Sequence, residues 1–90
     1  MTNAQFRDVI VDREERFTVG VEETSGRFYV SIPVSNGLVE YEEYYEIDAD
    51  AFAHYSKAPK AALDFVERCR KHEEDRRLIY QPGTKRGSAT

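Results

Sequence analysis

Ninety residues, a third of them charged and 40% hydrophobic, suffice for one domain with a modest core; the chain is too apolar for a disordered acidic segment and too polar for a membrane protein. The net charge of −4 conceals a gradient, because residues 1–35 carry four basic and six acidic groups, residues 36–56 none and six, and residues 57–90 nine and five. The aromatic-rich middle is therefore the negative part, which argues against nucleic acid as a partner, since platforms that stack bases set their rings among lysines and arginines.

In chain order, FRDVIVD (6–12) reads as a first strand with Val9 and Val11 on its apolar side and DREE as the following turn. Thr2 with Gln5 also fits a helical capping box, which leaves a helical start open. Two dipeptides suited to tight hairpins follow. With Ser25-Gly26 as a two-residue turn, Val21 faces Val30, Val19 faces Ile32 and Phe17 faces Val34. With Asn36-Gly37 as a second, Val34 faces Val39, Ile32 faces Tyr41, Val30 faces Glu43 and Phe28 faces Tyr45, while the opposite face pairs Ser31 with Glu42, Tyr29 with Tyr44 and Arg27 with Glu46. Both turns place apolar residues on one common face. Pro33 interrupts this pattern, having no N–H for a ladder, and 38–55 also permits a helical reading from the spacing of Leu38, Tyr41, Tyr45, Phe52 and Tyr55.

Asp48 is a suitable N-cap for a short helix carrying Phe52 and Tyr55, and Pro59 suits the first turn of a second helix running to about Asp75. There Ala62, Phe65, Val66 and Cys69 form one apolar stripe, and Asp64–Arg68, Glu67–Lys71 and Glu73–Arg77 form i, i+4 pairs. RLIYQ offers a short last strand, and Pro82-Gly83 ends regular structure. The expected fold is α+β: an antiparallel three- to four-stranded meander with two C-terminal helices on one face. Residues 1–81 form a single domain, and 82–90 form a flexible tail.

Residues 38–50 set Tyr41, Tyr44 and Tyr45 among Glu40, Glu42, Glu43, Glu46, Asp48 and Asp50 with no Lys or Arg. Tyrosine gives large contact area at low entropic cost and carboxylates steer cations, so this stretch reads as a surface that meets a basic protein or a second copy of the chain. The expected contact residues are Tyr29, Tyr44, Glu40, Glu42, Glu46 and Arg27 on an open sheet face. A non-enzymatic interaction module follows, either a homodimer or a neutraliser of a basic partner in the manner of antitoxins and immunity proteins.

Glu43 breaks the pattern by falling on the apolar face, where desolvation raises a carboxyl pKa. This opens an alternative, a small-molecule binder or enzyme with a pocket of Glu43, Tyr41 and Tyr45; the counter-reading is a Glu at the sheet's margin, reaching solvent or paired with a basic side chain from the second helix. No catalytic centre, metal or cofactor is expected: His54 and His72 lack ligand spacing, Cys69 sits on the apolar stripe, and no phosphate-binding glycine loop occurs. A single cysteine and a start without a basic, apolar leader point to the cytoplasm, and apolar runs of three residues at most leave nothing to span a membrane.

Overall fold

The structure, a computed structural model, describes residues 5–83 and 86–90. Strands β1 (Phe6–Asp12), β2 (Phe17–Glu22), β3 (Arg27–Ser35) and β4 (Glu40–Ile47) form an antiparallel meander in the order β1-β2-β3-β4. Helix α1 (Ala49–Lys57) follows, then a 3₁₀ turn (Pro59–Ala62) leading into α2 (Leu63–Arg70), a second 3₁₀ turn (Asp75–Arg77) and a short strand β5 (Ser88–Ala89). The α+β class is as expected, and 38–47 is a strand rather than a helix from Glu40 onward.

Both hairpins are two residues longer than the dipeptides imply. β2 meets β3 with Val19 opposite Val30 and Glu22 opposite Arg27, and β3 meets β4 with Val34 opposite Tyr41, Val30 opposite Tyr45 and Phe28 opposite Ile47. A side chain stabilises each wider loop. The Glu22 carboxylate accepts the backbone N–H groups of Thr24 and Ser25, both at 2.9 Å, and Asn36 Oδ1 accepts those of Leu38 at 2.9 Å and Val39 at 3.0 Å. Gly26 and Gly37, at φ +76° and +89°, supply the left-handed residue each loop needs. Because a slip of two preserves side-chain parity, the residues that stay in the strands keep their assigned faces while their cross-strand partners change; Val39, expected opposite Val34, falls in the longer loop and is exposed.

Pro33 lies in mid-strand without breaking the β3–β4 ladder. The carbonyl of Pro33 accepts the Thr90 N–H at 3.2 Å, so the absent N–H points to the β5 side, away from β4. It marks where β2 leaves β3 and β5 takes over, with Val34 opposite Ala89 and Ser35 opposite Ser88.

In β1 the register shifts between Asp8 and Ile10. This bulge reverses the expected facing: Val9 and Val11 are 41% and 52% exposed, and Ile10 packs against the core instead. Thr2 of the alternative capping box lies outside the described residues.

Asp48 caps α1 by accepting the Ala51 N–H at 2.8 Å. The α2 stripe of Ala62, Phe65, Val66 and Cys69 is buried against Phe17, Val19, Val30, Ile32, Val34 and Tyr45 of the inner sheet face, each large apolar side chain contributing roughly 1.5–3 kcal/mol. Helix α2 ends at Arg70 rather than Asp75, with His72 beyond it at φ +63°. The run KHEEDRR has no apolar stripe to bury, so the chain reverses there, and the reversal carries Glu74 and Leu78 inward. Glu74 then draws Arg68 at 2.8 Å and Arg77 at 2.9 Å, in place of the partners helical spacing implied. RLIYQ contributes a single bridge, Leu78 to Tyr45, rather than a strand. Where the sequence implies a free tail, 86–90 return to the sheet through β5.

Candidate functional site

Along β4 the side chains alternate: Tyr41, Glu43, Tyr45 and Ile47 turn to the helical side, and Glu40, Glu42, Tyr44 and Glu46 to the other. Each side contains a cluster, and the two differ in chemistry.

On the helical side, Glu43 is buried and its carboxylate is fully engaged. Arg86 donates to it through Nε at 2.7 Å and an NH₂ nitrogen at 2.9 Å, and the Tyr45 hydroxyl donates at 2.9 Å. The same guanidinium grips Asp75 at 2.7 and 2.9 Å. Two carboxylates on one planar fork hold Arg86 above the usual arginine range, the Asp75 bond first and Glu43 second, and the Arg86 bond in turn lowers Asp75. Burial raises the Tyr45 phenol, with the Glu43 bond adding to it. Tyr41 accepts the Gly87 N–H at 2.8 Å, and a Cβ on Gly87 would collide with the Ser35 backbone. The cation opposite Glu43 thus comes from the C-terminal segment and not from α2. With both its oxygens occupied, Glu43 is unsuited to moving protons, and Tyr45 is sealed in the core.

The other side is not the open face that the sequence implies. Tyr29 is fully buried there, which removes it from the expected contact surface. Phe6 from β1 covers it, stacking on Tyr44 at 3.8 Å between centroids and meeting Tyr29 edge-on at 5.3 Å. Gly20 makes this possible, because a Cβ there would run into the Tyr29 phenol ring and the Arg7 carbonyl oxygen. The Tyr29 hydroxyl crosses β2 to donate to Asp8 at 2.6 Å, and burial followed by that bond raises its pKa. Glu42 accepts from the Ser31 hydroxyl at 2.9 Å; partial desolvation of its carboxyl raises its pKa, Ser31 opposes this, and the Asp8 charge adds to it. Arg27 reaches Glu46 only at 3.9 Å, with both side chains about half exposed, so the pair contributes little.

Of the expected contact residues, Glu40, Glu42, Glu46 and Arg27 remain exposed and Tyr44 is half-buried. Tyr80, which the sequence did not single out, joins them at 57% exposure, its ring edge-on to Phe6 at 6.1 Å. Between Tyr80 and the β4 edge lies a cleft of about 580 Å³, with Tyr41, Glu42, Glu43 and Tyr44 on one wall and 80–83 on the other. Two of the three residues expected to form a pocket, Tyr41 and Glu43, border this cleft. At the hairpin end of the same strand, Leu38 and Val39 are 82% and 57% exposed.

Among the described residues no group of three or more His, Cys, Asp or Glu side chains is placed to hold a metal ion, and no helix is long and apolar enough to cross a membrane. Burial raises the Cys69 thiol well above its ordinary value, which leaves it unreactive. In comparisons with protein-family models, curated proteins and solved structures, none matched this chain.

Proposed function

We propose that this protein is a non-enzymatic interaction module, acting in the cytoplasm, that engages a basic protein through the outer side of β4. The observation that carries the reading is the exposure of Glu40, Glu42 and Glu46 on one strand, within a stretch of 21 residues (36–56) that holds six carboxylates and no Lys or Arg. Such a row attracts cations at long range and accelerates encounter with a positively charged partner. Tyr44 and Tyr80 supply aromatic contact area beside it. A neutraliser of a basic protein, whose carboxylates occupy places meant for phosphate, is the concrete form of this reading; self-association through the same strand is weakened by its like charges.

The test is titration calorimetry of the protein with a Lys-rich peptide across a salt series, alongside mass measurement in solution. Reversing Glu40, Glu42 and Glu46 to lysine should weaken binding at least tenfold and flatten its salt dependence. Unchanged affinity would sink the reading, as would a stable dimer that is indifferent to the reversal. The 580 Å³ cleft favours one second reading, a small ligand held between Tyr41, Tyr44 and Tyr80, since its size is that of ordinary ligand sites. Glu43 would have no acid–base role in it.

A further inference from the structure

β4 is an edge strand for half its length. Its outward backbone groups can be identified from two bonds: the Tyr44 carbonyl accepts the Ile79 N–H at 2.9 Å, and the Glu46 carbonyl accepts from Arg77 at 3.4 Å. N–H and C=O of one strand residue point the same way and alternate along the chain, so those of Glu40 and Glu42 also point away from β3. The chain runs beside β4 through Leu78 and Ile79, then swings out at 80–83 to form the far wall of the cleft. Among the described residues no backbone hydrogen bond reaches Glu40 or Glu42 from that side. The opposite edge of the sheet is different: β1 has a bulge at Val9, which twists its ladder away from pairing.

We infer that an extended, Lys- or Arg-bearing segment of a partner adds to β4 as a further antiparallel strand, hydrogen-bonded to the backbone of Glu42 and passing between β4 and 80–83. The inference rests on the proposed basic-partner reading and gives it a geometry. Addition of a strand to an exposed edge draws affinity from main-chain bonds and specificity from alternate side chains. Here the residue opposite Glu42 shares the outer face with Glu40, Glu42 and Tyr44, so cations belong at every second position. A second copy of β4 is a poor occupant, because it would set a row of glutamates directly against another. The inward neighbours would lie beside Tyr41, where an uncharged side chain fits, since Glu43 already has its cation in Arg86.

The alternation supplies the test. The probe is an acetylated, amidated octapeptide alternating Lys and Val, used against the full-length protein in two isomers of identical charge. In one isomer the backbone nitrogen of every Lys is methylated, in the other that of every Val. With Lys opposite Glu42, the Lys backbone nitrogens donate to β4, and the Val nitrogens point away from β4, where no backbone bond is inferred. Methylation at Lys should then weaken binding at least tenfold, while methylation at Val leaves it within about twofold. On binding of the Val-methylated isomer, the Glu42 amide should gain protection from hydrogen exchange and Tyr80 should shift in NMR spectra. If both isomers bind alike and charge reversal abolishes both, strand addition is overturned and the basic-partner reading stands. If neither they nor the unmethylated peptide binds at low salt, both fall.

Discussion

Glu42 and Glu43 are neighbours on one strand, yet their surroundings are opposite. Glu43 points to the helical side, where Arg86 and Tyr45 occupy its oxygens and Asp75 shares the same guanidinium. Glu42 points to the aromatic side, where Ser31 is its hydrogen-bond partner and the cleft lies beside it. A buried carboxylate that is fully paired fastens the chain, whereas an exposed one that is poorly compensated remains available to a partner. Alternation along β4 divides the protein into a side that holds its C-terminal segment and a side that we propose meets a partner.

The largest expected effect breaks the first side. Arg86→Ala should destabilise by about 3–5 kcal/mol, because Glu43 is left charged, buried and unpaired. Denaturant melts would measure this, and adding Glu43→Gln to that variant should recover a good part of the loss. Recovery would separate charge burial from simple loss of the C-terminal segment's contacts.

On the second side, Gly20→Ala should destabilise by about 1–3 kcal/mol through overpacking against Tyr29, with the Phe6–Tyr44 stack disturbed. Near-ultraviolet circular dichroism would report the displaced rings. An unchanged spectrum and melting point would mean that Tyr29 does not need the space above β2.

Acid titration should produce the smallest effect and sharpen the comparison by sign. Asp75 is held below its ordinary value by Arg86, so its contribution is present above the unfolded pKa and is lost as pH falls through the folded one. Glu42 is shifted upward, so its ionisation works against folding and its strain is relieved as pH falls through its raised pKa. Glu22, held down to about 2 chiefly by the Ser25 hydroxyl and the Gln5 N–H, keeps its hairpin loop closed until the lowest pH. Stability followed against pH should therefore respond to Glu42→Gln just above the ordinary carboxylate range and to Asp75→Asn below it. The reverse order would contradict the division drawn here.

Much of the fold was legible from local pattern. Period-two alternation assigned the side chains of β3 and β4 to their correct faces, because a register error of two leaves parity intact, while Val39, expected opposite Val34, was lost to the longer loop. The α2 stripe and the Asp48 cap were equally readable, since both are set by residues within a turn or two of each other. The β1 facing was not legible, because a bulge of one residue reverses parity and Val9 carries no mark of it. Tyr29 reads as an outward tyrosine on the hairpin alone. Only the arrival of Phe6 from a strand two positions away buries it.

The partner of Glu43 shows the same limit. A carboxylate on an apolar face announces that a cation is needed, and nothing nearby in the chain says which one; Arg86 lies 43 positions later in a polar segment. What the amino-acid order determined by itself is the alternation, the turn positions and the charge gradient, because these depend on local backbone geometry and on composition. Which tyrosine is sealed, which glutamate is neutralised and which stretch of β4 has no backbone partner among the described residues were decided by tertiary structure. Each of these depends on distant segments meeting across the sheet, and that meeting is governed by twist, bulges and loop lengths rather than by any one residue's neighbours.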